Sequence, residues 1–374
     1  MRIAYVITRG DSIGGAQIHV CDLSARLAPE HELGVFMGYG GLMADQLTGM
    51  GVPVTLIKHM VRPLAPQADP LALMELTSAL KAFKPDLIAA HSSKAGILAR
   101  LAGRMLGVPV VFTAHGWSFC PAMPQPGRAV YHVCERALAP LASRIICVSE
   151  CDRRLALDAG VGAPERLVTI HNGVADVPGA WRADPSRAPR IGVVARLAPQ
   201  KNHRLLFEAV RDLPEAQIDL FGDGPLRDEL AQLARAFGIH ERVHFRGHCD
   251  RVAEALAACQ VFAMTSNHEG FSLSILEAMR AGLPVVVTDV GGNREAVEHE
   301  RTGLLSELGD VRALRDNLAR LLSDPALRMR YGQAGRARYE AHFTLEQQIR
   351  KTTAVYRSVL APRMALERRI ASGF

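Results

Sequence analysis

The stretch VFAMTSNHEGFSLSILEAMRA, residues 261–281, encodes a complete strand, loop and helix. Val261–Met264 is a short apolar run between polar neighbours, a pattern typical of a strand buried on both faces. A glycine-containing loop follows, and the spacing of Leu273, Ile275, Leu276 and Met279 predicts a helix over 273–281. A buried strand followed by an amphipathic helix is the repeating unit of a parallel sheet covered by helices.

The same alternation of short apolar runs and helical patterns extends over the whole chain. Strands are predicted at 3–8, 33–37, 54–57, 87–90, 108–113, 144–148 and 168–170, and again at 191–195, 217–221, 243–245, 261–264 and 284–288. Helices are predicted at 16–27, 71–83, 92–106, 129–141, 202–211, 225–237, 251–258, 273–281 and 293–297, and helices dominate after 311. The predicted fold class is α/β, with two copies of one parallel-sheet architecture.

Residues 174–190 mark the expected domain boundary. This segment is rich in Ala, Pro, Asp and Gly and lacks periodicity. The chain has 374 residues, a length that favours two domains. Two facing α/β domains are expected to place a ligand cleft where the carboxyl ends of their strands meet.

Composition excludes several classes of function. The net charge of +6, from 44 basic and 38 acidic residues, permits an anionic ligand or an anionic membrane surface but requires neither. Aromatic residues make up only 5%, and no basic block is interleaved with them, so a nucleic-acid partner is not expected. Seven cysteines without a CxxC pair indicate reduced thiols in a cytoplasmic protein. No signal peptide and no apolar run of membrane-spanning length is recognised.

Two carboxylates stand out in the segment quoted first. Glu269 lies in the glycine-containing loop, and Glu277, eight residues later, lies about one turn into the predicted helix. Loop N–H groups and the helix start suit phosphate or sugar oxygens, and carboxylates accept hydrogen bonds from vicinal hydroxyls. A Glu among apolar helix residues is rarely buried without a partner. The alternative is that Glu277 faces solvent.

Other strand ends in the second half carry cations or glycines. Arg196 and Lys201, in ARLAPQKNH (195–203), are spaced to bind one diphosphate, or else are two solvated charges. Glycines in FGDGP (221–225) and DVGGNRE (289–295) allow close backbone approach to an anion, or form plain turns.

The first half has two further candidates. Gly14 and Gly15 open the first predicted helix, where unpaired N–H groups face an anion, although a plain turn is the alternative and no GxGxxG fingerprint is present. His115 follows a buried strand, at the position where ligands of parallel sheets bind. A strand-end histidine bonded to a carbonyl is equally compatible with this pattern.

Together the motifs resemble the retaining, nucleotide-sugar-dependent glycosyltransferases of family 4, which have the GT-B fold of two Rossmann-like domains. The resemblance covers nearly the whole chain, and the E-x7-E pattern is its most specific part. The motifs are GG (14–15), TAHG (113–116), HNGV (171–174), ARLAPQKNH (195–203), FGDGP (221–225), HEGFSLSILEAM (268–279) and TDVGGNREAV (288–297).

The resemblance implies a role for each matching residue. Arg196 and Lys201 would bind the donor diphosphate and stabilise the leaving group, Glu269 would lie beside the transferred sugar, Glu277 would bind the nucleotide ribose, and His115 would lie near the reaction centre. The other implied donor-binding residues are Gly14, Gly15, Gly222, Gly270, Phe271, Ser272 and Leu273. Many relatives have Gly or Pro at the position of Ser272, so the detail of the donor pocket differs here.

The resemblance also implies a domain arrangement and a reaction. The acceptor domain would span 1–176, the donor domain 177–355, and a last helix, about 356–374, would return to the first domain. Asn172 and Gly173 would be structural. The enzyme would be a retaining, metal-independent hexosyltransferase with no cofactor, because Arg196 and Lys201 supply the charge and neither a DxD nor an HxH motif is present. Front-face and double displacement both remain open.

Residues 91–119 resemble the bacterial transferases that extend polyprenyl-diphosphate-linked sugars for surface polysaccharide. The implied partners are a nucleotide sugar, such as a UDP- or GDP-sugar, a lipid-linked saccharide acceptor and an anionic membrane surface at the inner face of the cell membrane. A soluble acceptor remains an alternative, as does a sugar-nucleotide epimerase, a phosphorylase or a non-catalytic binder. A pyridoxal-type phosphorylase would need a Schiff-base lysine, and none of the five lysines has such a context.

Overall fold

The computed structural model describes residues 1–11, 14–177 and 189–371. The chain divides into two compact units. The first consists of Met1–His171 and Gln348–Phe374, and the second of Asn172–Gln347.

The first unit has a seven-stranded parallel sheet in the order β3-β2-β1-β4-β5-β6-β7. The strands are β1 (Arg2–Arg9), β2 (Glu32–Tyr39), β3 (Val54–Leu56), β4 (Leu87–His91), β5 (Val110–Ala114), β6 (Arg144–Cys147) and β7 (Leu167–Thr169). The helices are α1 (Gly15–Leu27), α2 (Leu42–Gly49), α3 (Ala68–Phe83), α4 (Ser93–Leu106), α5 (Gly127–Leu138) and α6 (Glu150–Asp158).

Strand β1 shows why the apolar runs fold as central strands. Its residues 3–7 are completely buried, and alternate side chains enter two different cores. Ala4 and Val6 belong to one cluster, whereas Ile3, Tyr5 and Ile7 belong to the other. Because side chains alternate along a strand, an uninterrupted apolar run requires helices on both faces of the sheet.

The second unit has a six-stranded parallel sheet in the order β10-β9-β8-β11-β12-β13. Its strands are β8 (Arg190–Val194), β9 (Gln217–Phe221), β10 (Val243–Gly247), β11 (Val261–Met264), β12 (Val285–Thr288) and β13 (Gly303–Ser306). Its helices are α7 (His203–Val210), α8 (Arg227–Ala236), α9 (Val252–Ala257), α10 (Leu273–Arg280), α11 (Asn293–Ala296), α12 (Val311–Ser323) and α13 (Pro325–His342), and α14 (Leu345–Ala371) continues into the first unit.

The expectation of an α/β fold with two parallel sheets is confirmed. Strand order reverses at β1/β4 in the first sheet and at β8/β11 in the second, and ligands of open α/β sheets bind at such switch points. Strand β13 and helices α2 and α6 were not predicted. Gly303–Ser306 begins with a glycine that weakens the strand pattern.

Hydrogen bonds explain where the two units divide. Val174 is bonded to the second unit, since its carbonyl accepts from the hydroxyl of Tyr339 at 2.9 Å. The Arg336 guanidinium binds both carboxylate oxygens of Asp176 at 2.8 and 2.5 Å. The segment 174–176 therefore packs with the second unit, whereas the expected boundary after 176 assigned it to the first.

Helix α14 joins the first unit from Gln348 onward, earlier than the expected 356. Tyr356 is completely buried and Leu360 nearly so, and both pack in the core cluster that contains Tyr5. Among the helices of the described ranges, none combines the length and the apolar character needed to cross a bilayer.

Candidate functional site

A lysine–glutamate ion pair lies at the switch point of the second sheet. Lys201 follows β8 and Glu269 follows β11, so the two loops meet at the carboxyl edge. Lys201 Nζ donates to Glu269 Oε1 at 2.5 Å, and the two side chains are only 17% and 9% exposed. A pair this protected from solvent fixes both charged groups in position more firmly than a surface pair would.

Four hydrogen bonds lock the two loops that carry this ion pair. The backbone N–H of Asn267 donates to the Gln200 carbonyl at 2.8 Å, and the Gln200 side chain donates to the His268 carbonyl at 2.9 Å. The Asn202 amide donates to the side-chain oxygen of Asn267 at 2.9 Å, and the Thr265 hydroxyl donates to the Asn202 carbonyl at 3.0 Å. These bonds fix the two loops relative to each other.

Arg196 differs from Lys201 in having no partner among the residues that the structure describes. It lies two residues after the end of β8 and is exposed. Within the described ranges, its guanidinium makes no hydrogen bond and no ion pair. Its five donors are therefore open to an anion, and a guanidinium binds phosphate oxygens in a fork geometry.

The glycines in these loops have a clear packing role. At Gly222, where φ is +137°, a Cβ would lie 2.1 Å from the carbonyl oxygen of Ala195. At Gly291, where φ is +54°, a Cβ would lie 1.7 Å from the carbonyl oxygen of Glu269. Both glycines let a neighbouring loop pack directly against the loops of Arg196 and Glu269, so they shape the site whether or not they contact a ligand.

Helix α10 begins at Leu273, four residues after Glu269. Its N-cap, Ser272, makes no side-chain capping bond to the helix, and the first turn contains no acidic residue. The helix N-terminus therefore has N–H groups that suit an anion. Its preceding turn is fixed, because the Asn172 amide donates to the carbonyl of Phe271 at 2.9 Å. Glu277 is partly buried, so the alternative of a fully solvated Glu277 is not what the structure shows.

The first unit places three histidines at its own switch point. His91 ends β4, His115 follows β5 and His19 lies in α1. His91 Nδ1 and His115 Nε2 share a hydrogen bond of 3.0 Å. The side-chain amide of Gln348 donates to His19 Nδ1 at 2.9 Å. His115 thus lies in a histidine cluster rather than alone at a strand end.

Burial favours the neutral forms of His91 and His115. Burial is the main cause that lowers the pKa of His91 well below its usual value, and His19 and His115 lower it further. The pKa of His115 is lowered well below its usual value by burial and then by His19. Protonating either ring would place a charge beside two other imidazoles in a nearly dry environment.

The histidine cluster is also the one group with metal-ligating spacing within the described ranges. Its ligand atoms all lie within 4.8 Å of one another. A tetrahedral Zn²⁺ with bonds of about 2.0–2.1 Å would hold its nitrogens about 3.3 Å apart. Since His91 and His115 already bond each other and His19 bonds Gln348, the observed arrangement is a hydrogen-bonded cluster rather than an open metal tripod.

The loop that follows His91 is held in an unusual conformation. Ser92 has a φ of +81°, which is costly for a residue with a Cβ. The Thr8 and Ser92 hydroxyls lie 2.8 Å apart, and those of Ser93 and Ser118 lie 2.7 Å apart. Lys94 is buried, and its ammonium donates to the carbonyl of Pro63 at 2.8 Å and to Asp69. Surrounding contacts thus over-determine the chain direction just after His91.

Gly14 and Gly15 lie at the start of α1, as the sequence predicts. Gly15 is the first residue of the helix, Gly14 is its exposed N-cap, and the first turn has no acidic residue. The preceding residues 12 and 13 of the glycine loop lie outside the described ranges. The α1 N-terminus, like that of α10, suits an anion in charge.

Sequence analysis missed several residues of both sites. Gln200, Asn267 and His268 form bonds between the loops that carry Lys201 and Glu269, and His268 is adjacent to Glu269. His91 and His19 were also missed. The signal for His91 was its place at the end of a strand neighbouring that of His115, since parallel strand ends meet at one edge.

Two family profiles match the chain. The profile of group 1 glycosyl transferases matches residues 182–338, and that of glycosyltransferase family 4 matches residues 13–176. Together they span both units.

Individual relatives agree with these profiles. The UDP-Gal:alpha-D-GlcNAc-diphosphoundecaprenol alpha-1,3-galactosyltransferase of Escherichia coli is 30% identical over 307 residues, covering 77% of this chain and 79% of that protein. The O-antigen biosynthesis glycosyltransferase WbnH of Escherichia coli is 27% identical, covering 82% and 86%. The crystal structure of Anabaena HepE in complex with UDP-glucose is 25% identical, with a TM-score of 0.82, covering 95% of this chain and all of that one. The chain therefore belongs to glycosyltransferase family 4 and has the GT-B fold.

Proposed function

We propose that this glycosyltransferase moves a sugar, with retention of anomeric configuration and without a bound metal ion, from a nucleoside-diphosphate sugar to a hydroxyl of a saccharide carried on a polyprenyl diphosphate. The observation that carries the proposal is the locked Lys201–Glu269 pair on a loop that also carries Arg196, a cation without a partner among the described residues. UDP-glucose in the HepE structure and the diphosphoundecaprenol substrate in the name of the galactosyltransferase support the donor and acceptor classes.

The charges of the second unit suit a diphosphate leaving group. As the bond to the anomeric carbon breaks, negative charge develops on the diphosphate, and fixed cations lower the barrier. The Lys201 ammonium has three donors and gives one to Glu269, so the others remain for phosphate oxygens. Arg196 supplies a whole positive charge, because no carboxylate of the described residues forms an ion pair with it. These two side chains would perform the role that a divalent cation has in other enzymes.

The carboxylates suit the neutral parts of the donor. Glu269 is held by Lys201 and by its loop, so its free carboxylate oxygen has a fixed direction for a sugar hydroxyl. Glu277 lies one turn into α10, beside the helix start that would face the phosphates, and this spacing suits the ribose hydroxyls. Retention by front-face or double displacement would both use the same leaving-group contacts.

A donor screen tests the proposal directly. Calorimetry with UDP-, GDP- and ADP-sugars should give micromolar to millimolar binding to one base. Lys201→Ala should lower the rate of sugar transfer about 10²–10³-fold, the usual effect of losing one leaving-group donor. Arg204→Ala is the matched control, because Arg204 is an exposed cation nearby that pairs with Glu208. Absence of binding to every nucleotide sugar would contradict the proposal.

The acceptor class needs a separate experiment. Transfer should be measured with a polyprenyl-diphosphate-linked monosaccharide and with the same monosaccharide without its lipid. We expect turnover on the first only, and weak, salt-sensitive flotation with anionic liposomes. Equal turnover on the lipid-free sugar, with no response to anionic lipid, would favour the soluble acceptor instead.

A further inference from the structure

The histidine cluster contains more information than the role implied for His115 alone. His91 Nδ1 and His115 Nε2 lie 3.0 Å apart and share one hydrogen bond. Because both rings are neutral, exactly one of these nitrogens carries the shared proton. The two choices give His115 opposite properties at its other nitrogen, Nδ1, which makes no hydrogen bond within the described ranges.

The buried environment of His91 distinguishes the two choices. His91 is completely buried, and its Nε2 has no hydrogen-bond partner among the described residues. If His115 donated, the proton of His91 would have to lie on that Nε2, leaving a buried N–H without an acceptor. If His91 donates from Nδ1, its Nε2 keeps only a lone pair. Orphaned buried N–H groups are rarer than under-satisfied acceptors, so the second choice is favoured.

This choice fixes the state of His115. Its Nε2 accepts from His91, so its own proton lies on Nδ1. His115 is the partly exposed member of the cluster, whereas His19 and His91 are buried. The strained Ser92 and the bonds around it hold the chain just after His91. They therefore limit how far the His91 ring, the hydrogen-bond donor to His115, can shift.

We propose that His91 is a positioning residue that holds His115 as the Nδ1–H tautomer, so that His115 offers substrate a hydrogen-bond donor and not a base. The oxygen that it would meet is a hydroxyl or carbonyl oxygen of the sugar substrate, and this part rests on the proposed function. His19, itself bonded to Gln348, packs against the rings of both His91 and His115.

The tautomer can be measured without any substrate. Long-range ¹H–¹⁵N spectra of ¹⁵N-histidine-labelled protein at pH 7.5, with EDTA present, distinguish the two neutral tautomers, and His115→Asn assigns the signal. We expect a neutral His115 protonated on Nδ1 and a neutral His91 protonated on Nδ1. A His115 protonated on Nε2, or a charged His115, would overturn the inference.

Two substitutions at His91 test the positioning role. The amide nitrogen of Asn lies near the place of imidazole Nδ1, whereas that of Gln reaches toward Nε2. His91→Asn should therefore keep the Nδ1–H tautomer of His115 and most of the activity. His91→Gln should no longer hold His115 as the Nδ1–H tautomer. It should lower kcat for nucleotide-sugar turnover about tenfold or more, as loss of a residue that orients a histidine commonly does. The control is His240→Gln, at an exposed position outside the cluster.

The outcomes separate this inference from the proposed function. If both His91 variants retained wild-type turnover, or lost it equally while folded by thermal melting, the positioning role would be wrong. Nucleotide-sugar transfer with the opposite tautomer would overturn only this inference. The expected tautomer in a protein that binds no nucleotide sugar would overturn only the proposed function.

Discussion

The substitution Gly291→Ala tests how closely the Gly291 loop packs against the Glu269 loop, once the strain of a left-handed alanine is subtracted with a control variant. Gly291 has a φ of +54°, and a Cβ there would lie 1.7 Å from the carbonyl oxygen of Glu269. Ordinary contact begins at about 3.4 Å, so one of the two backbones would have to move by well over an ångström. Gly238 has a similar φ of +69° with open space around its Cβ position. Gly238→Ala is therefore the matched control.

The two variants should differ in a defined way. Gly238→Ala should cost about 1–2 kcal/mol, the penalty for a left-handed alanine, and lower Tm by about 2–8 °C. Gly291→Ala adds a collision between its Cβ and the Glu269 carbonyl, so Tm should fall further or the Glu269 loop should shift. The affinity for the nucleotide sugar, measured by calorimetry, should fall at least about tenfold, because a small misplacement of a binding group is costly. Equal Tm values and equal donor affinities in the two variants would show that the reasoning about Gly291 is wrong.

Three further changes have defined expectations. Lys201→Ala should lower sugar transfer about 10²–10³-fold in a donor-turnover assay while Tm stays near wild type, and wild-type transfer would contradict the donor-site assignment. Burial lowers the pKa of His203 to about 4, so the unfolded state binds more protons than the folded state as the pH falls. The free energy of unfolding should therefore decrease by about 2 kcal/mol from pH 7 to pH 5. His203→Phe should remove that part of the pH dependence of Tm, and an unchanged pH profile would refute this reasoning. Burial raises the pKa of Asp22 to about 6, so the cost of its charge grows between about pH 4 and pH 6 and levels off above that range. Asp22→Asn should therefore raise Tm at pH 7 by about 4–8 °C, for about 2 kcal/mol, and change it little at pH 4. No gain at pH 7 would count against this reasoning.

Local sequence patterns predict the strands and helices well because burial imposes them locally. The run Val261–Met264 is apolar because both faces of β11 are covered, and that requirement is visible in four consecutive residues. The strand Gly303–Ser306 was not predicted, because a four-residue strand that begins with a glycine has little apolar pattern of its own.

The candidate sites are predictable only in part, because they depend on contacts between distant segments. Lys201 and Glu269 could be singled out from their loops, but not their ion pair, which joins residues 68 positions apart. His19 and His91 lie far from His115 in sequence, and no local pattern brings them together. The requirement for glycine at position 291 is likewise non-local, because the atom that would collide with a Cβ there is the carbonyl oxygen of Glu269.

The most direct measurement compares a nucleoside diphosphate with the matching monophosphate by calorimetry, in the wild type and in Arg196→Gln. If Arg196 binds the β-phosphate, the wild type should prefer the diphosphate, and the variant should lose about ten- to a hundredfold of diphosphate affinity, the value of one charge-assisted hydrogen-bonded contact. Monophosphate affinity should change little. Undiminished diphosphate affinity in Arg196→Gln would contradict the view that the cations of the second unit hold the donor diphosphate.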